Sequence, residues 1–375
     1  MVSANNKKTI SKASPHTIKK FELIETYIKS WAQILMQNEK CNGLIFIDCM
    51  CNSGIYQDDY GNLVEGTPIR VAKALRDVAR RYEDKQIFLY LNDNDAMKIN
   101  ELRKHLPDDE RNISTITLIG DANNLLERIG PRLTPEGHFN YFLLYDPYNA
   151  SIDWNALLPF FGNWGEVMIN HAVLDPVRAI FSAKKKAAIK KYENTYLTDF
   201  EKLVPFGSDK NAYEARVEEI IKLLKGNRRY YVAAFPFYNS QNSQMYNLIH
   251  CTSNKAGFVL YKNCAWKVFG GKSSAKRGTE NSYQLALDEN GNITVPTDES
   301  CFYIKDIAKY LYDSFKKQKN VRLEQMWKLL EEHPVFPSEG FKKEIKKELF
   351  EVYGVSKKQI INTNTGKKEI VLSFL

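Results

Sequence analysis

The sequence predicts an α/β fold: a Rossmann-like, parallel sheet with helices on both faces, a helical insertion, and a separate C-terminal domain. Three observations lead there. Short apolar runs alternate with amphipathic stretches along the first 270 residues, the pattern of strands buried on both faces between crossover helices. Four of those runs end in an acid, at Asp48, Asp93, Asp121 and Asp146, where open α/β sheets carry their ligand-binding loops. Beyond residue 300 the pattern changes to three short amphipathic helices and a closing pair of strands.

Each element follows from its local pattern. "IKKFELIETYIKSWAQILMQ" sets Phe21, Ile24, Ile28, Trp31, Ile34 and Leu35 at helical spacing, which gives one apolar face. Leu44 to Asp48 is the first strand, followed by a polar loop. In "EGTPIRVAKALRDVARRY" Thr67 is the predicted N-cap and Pro68 the first helical residue. "QIFLYLNDND" is a second strand, ending at Asp93 and Asp95, and "AMKINELRKHL" a helix. "STITLIGDANNLLERI" reads as a strand to Asp121 and a short helix; "FNYFLLYDPYNA" and "GEVMINHAVLD" are the fourth and fifth strands. The chain is then helical and lysine-rich over about 178–225, before two strands, "RYYVAAFPFY" and "MYNLIHCTS", and the helix "KAGFVLYKNCAWKVF".

The stretch 271–300 is rich in Gly, Ser, Asn and charge and reads as a linker, with a short hairpin at Glu289 to Asn292. Residues 301–375 hold three helices and two strands around an Asn-Thr-Gly turn, which resembles a winged-helix domain. The expected organisation is an N-terminal helical segment (1–40), an α/β domain (41–270), the linker, and the tail.

Composition limits the setting. At 43% hydrophobic and 26% charged residues the chain of 375 is globular. A formal net charge of +8 permits DNA or RNA as a partner. The six cysteines, Cys41, Cys49, Cys51, Cys251, Cys264 and Cys301, form no CxxC pair, so neither a zinc site nor any other metal is expected. No apolar run approaches the roughly 20 residues of a membrane span, and "MVSANNKKTISKASPHT" has no signal-peptide core. A cytoplasmic protein with reduced thiols and no membrane partner is expected.

The loops indicate an adenosyl ligand. A carboxylate at a strand end accepts from ribose hydroxyls or an ammonium group, and small residues let the backbone come close. Asp48, Cys49, Asn52, Ser53 and Gly54 are placed at a methionyl end. Asp93 is placed on the ribose with Asp95 as its fallback, and Asp121 and Ala122 beside the adenine. This order matches class I S-adenosylmethionine-dependent methyltransferases. There is neither a GxGxxG nor a P-loop. In "DPYN" the acid Asp146, the turn at Pro147 and the ring of Tyr148 have the character of sites that hold a target amine and stack a flipped base. An ordinary turn closing a strand is the alternative. His171 is either at the cleft or a satisfied core residue. The run Ala183 to Lys191 is either a solvated face or a phosphate-contacting stripe.

Taken together, "KKFELIETYIKSWAQIL", "FIDCMCNSGIY", "EGTPIRVAKAL", "LLYDPYN" and "GEVMINH" resemble the TcmP family, the three-Cys-motif partner proteins of bacteria and their phages. There a lysine-bearing helix precedes DxFAGxG, GSP and DPFG. The later "YNLIHCTSNKAGF" and the tail fit as well, so the resemblance covers most of the chain. It implies a methyltransferase-like fold and a neighbouring three-Cys-motif protein as partner. The family's lysine falls on Lys19 or Lys20, its GSP on Gly66, Thr67 and Pro68, and its DPF on Asp146, Pro147 and Tyr148. The resemblance thereby adds Lys19 and Thr67 to the cofactor site. Met50, Cys51 and Asn52 replace the family's Phe, Ala and Gly, so a loop with less backbone freedom is expected. The expected function is methyl transfer from S-adenosylmethionine to nucleic acid at Asp146 to Tyr148. The alternative is a non-catalytic partner or nucleic-acid-binding module on a degenerate methyltransferase fold.

Overall fold

A computed structural model describes residues 9–132, 138–147, 151–162, 164–172, 186–197, 218–224, 230–276, 286–287, 293–294, 301–361, 366 and 368–375. The chain divides into two units, Met1–Tyr261 and Lys262–Leu375.

The first unit begins with β1 (Ser11–Lys12), α1 (Pro15–Met36), β2 (Gly43–Asp48), the hairpin β3 (Ile55–Gln57) and β4 (Leu63–Glu65), and α2 (Thr67–Ala79). Next come β5 (Gln86–Asp93), α3 (Ala96–Arg103), β6 (Ile113–Ile119), α4 (Ala122–Ile129), β7 (Phe139–Tyr145) and the short α5 (Trp154–Leu157). β8 (Gly165–Ala172), α6 (Lys186–Tyr196), β9 (Tyr231–Tyr238), β10 (Gln244–Thr252) and α7 (Lys255–Val268) follow. The boundary between the units falls inside α7, between Tyr261 and Lys262.

The sheet runs β6-β5-β2-β7-β8-β10-β9. Its first five strands are mutually parallel, and β10 is antiparallel to both β8 and β9. The sheet is therefore mixed, not wholly parallel. A tight turn at Asn239 to Ser243 joins β9 to β10, and a turn that short connects only antiparallel strands. Strand order reverses between β2 and β7, the switch point above which doubly wound sheets bind ligands.

Both faces of the sheet are covered. On one, α1 buries Phe21, Ile24, Tyr27, Ile28 and Trp31, and the rings of Tyr27 and Trp31 each lie 5.8 Å from Phe142. The N-terminal helix thus belongs to the sheet's core. Beneath it the buried Glu166 accepts a hydrogen bond from the Tyr27 hydroxyl and lies 2.8 Å from His250 Nε2. On the other face Ile47, Leu143, Val167 and Ile169 pack with Leu126, Phe160, Tyr196 and Ile220.

The segment after β2 differs from the polar loop expected. β1, β3 and β4 form a small sheet, whose three-residue strands are too short to show alternation. The N-cap of α2 is Gly66, one residue before the expected Thr67. Its amide donates to Gly54 O over 2.7 Å, which fixes the chain before Thr67 is reached. Of the lysine-rich insertion, Lys186–Tyr196 and 218–224 are helical, and the remainder lies outside the described residues. Among the described residues no helix is long and apolar enough to cross a membrane.

In the second unit β11 (Ala286–Leu287) pairs with β12 (Ile293–Thr294) on either side of the expected hairpin turn, whose residues lie outside the described ones. The tail is α8 (Ile304–Phe315), β13 (Val321–Arg322), α9 (Leu323–Glu332), α10 (Lys342–Glu351), β14 (Ser356–Ile361) and β15 (Lys368–Ser373). Its sheet runs β13-β15-β14 over a core including Ile307, Leu311, Met326, Leu330, Ile345 and Leu349. β13 is an addition to the expected three helices and two strands. Lys262, fully buried, donates to Leu330 O, Glu331 O and His333 O at 2.9, 3.0 and 2.5 Å, and so caps the carboxyl end of α9.

Candidate functional site

A cleft of ≈ 180 Å3 opens over the carboxyl ends of β2, β5, β6 and β7. The first contributes Cys49 and Met50, the second Asp93 and Asn94, the third Gly120 to Asn123, and the fourth Tyr145 and Pro147.

Backbone and amide hydrogen bonds hold these strand ends together. Asn92, 1% exposed, donates from Nδ2 to Cys49 O at 2.9 Å and to Gly120 O at 3.0 Å. Its carbonyl accepts from Cys51 N at 2.8 Å, and Gly120 N donates to Asp93 O at 3.2 Å. Such cross-links hold the loops in place before any ligand arrives. The loop after β2 passes through two left-handed residues, Asn52 (φ 58°) and Gly54 (φ 71°). Asn is among the few residues that accept this conformation. Asn52 therefore takes a backbone conformation usually left to glycine. At Gly54 a Cβ would meet Leu102 Cδ1 at 2.5 Å, so glycine is required there on two grounds.

The four strand-end acids have different roles. Asp93, 2% exposed, accepts from Asn52 N and Asp95 N, each at 3.0 Å. It borders the cleft from below with both oxygens engaged. Asp95 caps α3, accepting from Met97 N at 2.8 Å. Asp121 caps α4, accepting from Asn124 N at 3.0 Å, and stays exposed on the cleft wall. Asp48 is 2% exposed and accepts from Met50 N at 3.3 Å. Burial, and then the nearby Asp146, push its carboxyl up to about 8. It is a neutral acid at pH 7 and does not line the cleft, contrary to a carboxylate holding an ammonium group.

Asp146 faces the other way. Lys20 Nζ is 2.6 Å from its Oδ2, and Asn170 Nδ2 donates to its Oδ1 at 2.6 Å. Lys20 Nζ also lies 5.3 Å from the centre of the Tyr246 ring. Pro147, the next residue, lines the cleft.

Of the residues singled out from sequence, Cys49, Asp93, Asp121, Ala122 and Pro147 meet at the cleft. Lys19 pairs with Glu22 at 2.6 Å, its side chain 45% exposed; Lys20 is the lysine that reaches the site. Ser53 is fully buried, its hydroxyl donating to Ile55 O, and Thr67 is buried at the start of α2. Neither of them, nor Asn52 or Gly54, lines the cleft. Tyr148 lies outside the described residues. His171 is buried on the sheet face that also carries Tyr145 and Tyr196, its Nε2 3.0 Å from the Tyr196 hydroxyl, and does not line the cleft. Burial holds the Cys49 and Cys51 thiols well above their ordinary range, so neither is a thiolate nucleophile.

Sequence reading missed Asn94, Gly120 and Tyr145 at the cleft and Asn170 and Tyr246 beside Asp146. Strand register, which the sequence does not encode, brings the last two in. Tyr145 pairs with Ile169, so Asp146 stands next to Asn170, and Tyr246 pairs with Ala172, two residues further on.

No protein-family model and no curated protein matches the chain. Among solved structures it is similar to the O-methyltransferase TomG from Streptomyces achromogenes in complex with SAM, at 11% identity and a TM-score of 0.33, over 68% of this chain and 96% of that one. An O-methyltransferase from Bacillus cereus in complex with SAH matches at 11% identity and a TM-score of 0.32, over 61% and 80%. The SAH-bound Podospora anserina methyltransferase PaMTH1 matches at 14% identity and a TM-score of 0.28, over 67% and 93%. At this level of similarity the chemistry has to be read from the chain's own residues.

Proposed function

We propose that this chain is an S-adenosylmethionine-dependent methyltransferase acting on nucleic acid, of the class I fold, with its acceptor presented at Asp146 to Tyr148. One observation carries the reading: consecutive residues at the end of β7 face two sites, Pro147 the cleft and Asp146 the Lys20–Asn170 cluster. A group held in the cleft and a group held at Asp146 would meet across that peptide.

The cleft suits a nucleoside. Met50, Ala122, Tyr145 and Pro147 offer apolar surface to a base. Asp121, Asn94 and Asn123 offer polar atoms to hydroxyls, and Gly120 leaves room for close approach. When bound, S-adenosylmethionine supplies an electrophilic methyl on a sulfonium. Asp146 holds a base amine by its N–H bonds. Cys49, Met50, Asp93, Asp121 and Ala122 would hold that cofactor, which would supply its methyl to the amine lone pair and keep the sulfur as a thioether, while the surplus N–H proton would pass to water. Orientation and exclusion of water account for the rate.

The tail's order of helix, strand, two helices and two strands supports the winged-helix reading. It carries fifteen Lys and Arg against ten Asp and Glu, five of the chain's eight excess positive charges. A three-Cys-motif protein is the partner implied by the family resemblance. A second reading, a non-catalytic module on the same sheet, draws on Asp93, whose two oxygens are both taken by backbone amides.

Incubation with tritium-labelled S-adenosylmethionine and single- or double-stranded DNA or RNA decides between them. Label on nucleic acid that disappears in Asp146→Ala, with cofactor affinity unchanged, supports the enzyme. Cofactor binding without transfer overturns the substrate class, and neither binding nor transfer leaves the module.

A further inference from the structure

The insertion between β8 and β9 reaches back to the cleft wall. Thr195, fully buried in the last turn of α6, meets the connection from β7 to α5. Its Oγ1 accepts from Ile152 N at 3.1 Å, and its carbonyl accepts from Trp154 Nε1 at 2.9 Å. Ile152 follows Ser151, which lines the cleft. From the other side the Tyr145 hydroxyl accepts from Asp153 N at 3.3 Å and donates to Asn123 Oδ1 at 3.1 Å, and both Tyr145 and Asn123 line the cleft. Three successive residues, Ile152 to Trp154, are thus held between the cleft wall and α6.

We propose that Thr195 is a positioning residue that makes the insertion part of the cofactor site: through it, α6 holds the β7–α5 connection, whose Pro147 and Ser151 border the cleft, in its ligand-binding position. This rests on the methyltransferase reading above and adds to its site a residue from outside the strand-end loops.

Two features set this contact apart from ordinary packing. A buried backbone amide needs an acceptor, and Ile152, 3% exposed, finds its own in a side chain 43 residues further along the chain. The position of this connection therefore depends on α6 being in place. The second feature is the way α6 ends. Leu197 follows it with φ 50°, in the left-handed region where glycine commonly ends a helix. Its side chain is 62% exposed, so burial does not offset that cost. Such strain persists where the surroundings over-determine it. Here the last turn is fixed twice, by Thr195 on the connection and by the Tyr196 hydroxyl 3.0 Å from His171 Nε2 on β8.

The test is calorimetric titration of the full chain with S-adenosylhomocysteine, together with hydrogen exchange over residues 151–157. Thr195→Val keeps the shape and removes the acceptor, whereas Thr195→Ser keeps the acceptor. Thr195→Val should weaken binding by at least about fivefold, the lower end for one buried amide left unpaired, and speed exchange over 151–157. Thr195→Ser should match the wild type in both. Tyr196→Phe, which loosens the same turn at β8 and leaves the connection untouched, should bind as the wild type does. Wild-type affinity in Thr195→Val, or an equal loss in Tyr196→Phe, overturns the proposal. Should Thr195→Val melt early, Trp154→Phe, which loses only the indole bond to Thr195 O, decides by the same criterion. Absence of binding by the wild type is a separate failure, of the methyltransferase reading. Exchange then decides alone, and an unchanged rate over 151–157 in Thr195→Val overturns the positioning role.

Discussion

Burial and the neighbouring Asp146 raise the Asp48 carboxyl to about 8, against a weaker opposing effect of Lys20. The folded chain therefore keeps a proton that the unfolded chain has lost above the ordinary carboxylate range. Folding stability should fall as pH rises from about 4 to about 8 on account of this residue. Asp48→Asn keeps the shape and removes the titration. Thermal melts should show the variant more stable than wild type at pH 8 and the gap closing towards pH 5; a gap that widens as pH falls would contradict the assignment. Some of this scale was legible in the sequence. Asp48 could be placed at a strand end, but whether it faced ligand or core depended on which of two sheet faces it shared with Asp146. Lys19 and Lys20 differ by about 100° around α1, and sequence spacing alone did not choose between them. Asn52 looked like a lost glycine because residue type, and not its φ of 58°, was all the sequence offered.

The elements were the most legible part. Strands buried on both faces give continuous apolar runs, and each of the seven central strands overlaps a segment read as a strand, although β6 interrupts its apolar residues with Ser114, Thr115 and Thr117. What stayed hidden was pairing. The antiparallel placement of β10 between β8 and β9 is a long-range choice that periodicity does not encode, and the three-residue strands β3 and β4 are too short to have a period. In the second unit, a single side chain from α7 holds the end of α9: Lys262 replaces water at three helix-end carbonyls. Lys262→Met would leave them unpaired in a buried site. A loss of about 3 kcal/mol is expected, measured by urea unfolding of the full chain, and a loss under about 1 kcal/mol would show that those carbonyls find other partners.

Over the whole molecule, charge and site chemistry separate. Two acids, Asp93 and Asp121, line the cleft, while the tail holds most of the net positive charge, with Lys343 and Lys347 exposed on α10 and Lys357 and Lys358 on β14. On the nucleic-acid reading, phosphate contacts set affinity and the base edge sets selection. The logarithm of the binding constant should fall linearly with that of salt concentration, at about 0.9 per duplex phosphate neutralised. Lys343→Gln with Lys347→Gln should flatten that slope by about 1–2 and leave cofactor affinity unchanged; an unaltered slope would remove α10 from the interface. A change of pattern is visible in the sequence near residue 300, but the division inside α7 is not, because a continuous helix shows no break in sequence.

The central claim is that the cleft over β2, β5, β6 and β7 holds an adenosyl cofactor. Calorimetric titration with S-adenosylmethionine and S-adenosylhomocysteine tests it most directly, with Gly120→Trp as the comparison. A Cβ at Gly120 would come no closer than 4.0 Å to another residue, so the indole can enter the cleft without a backbone clash. One-to-one binding in the wild type, lost in a Gly120→Trp chain with an unchanged melting temperature, is the predicted result. No heat up to millimolar ligand, or equal binding by both chains, would contradict it.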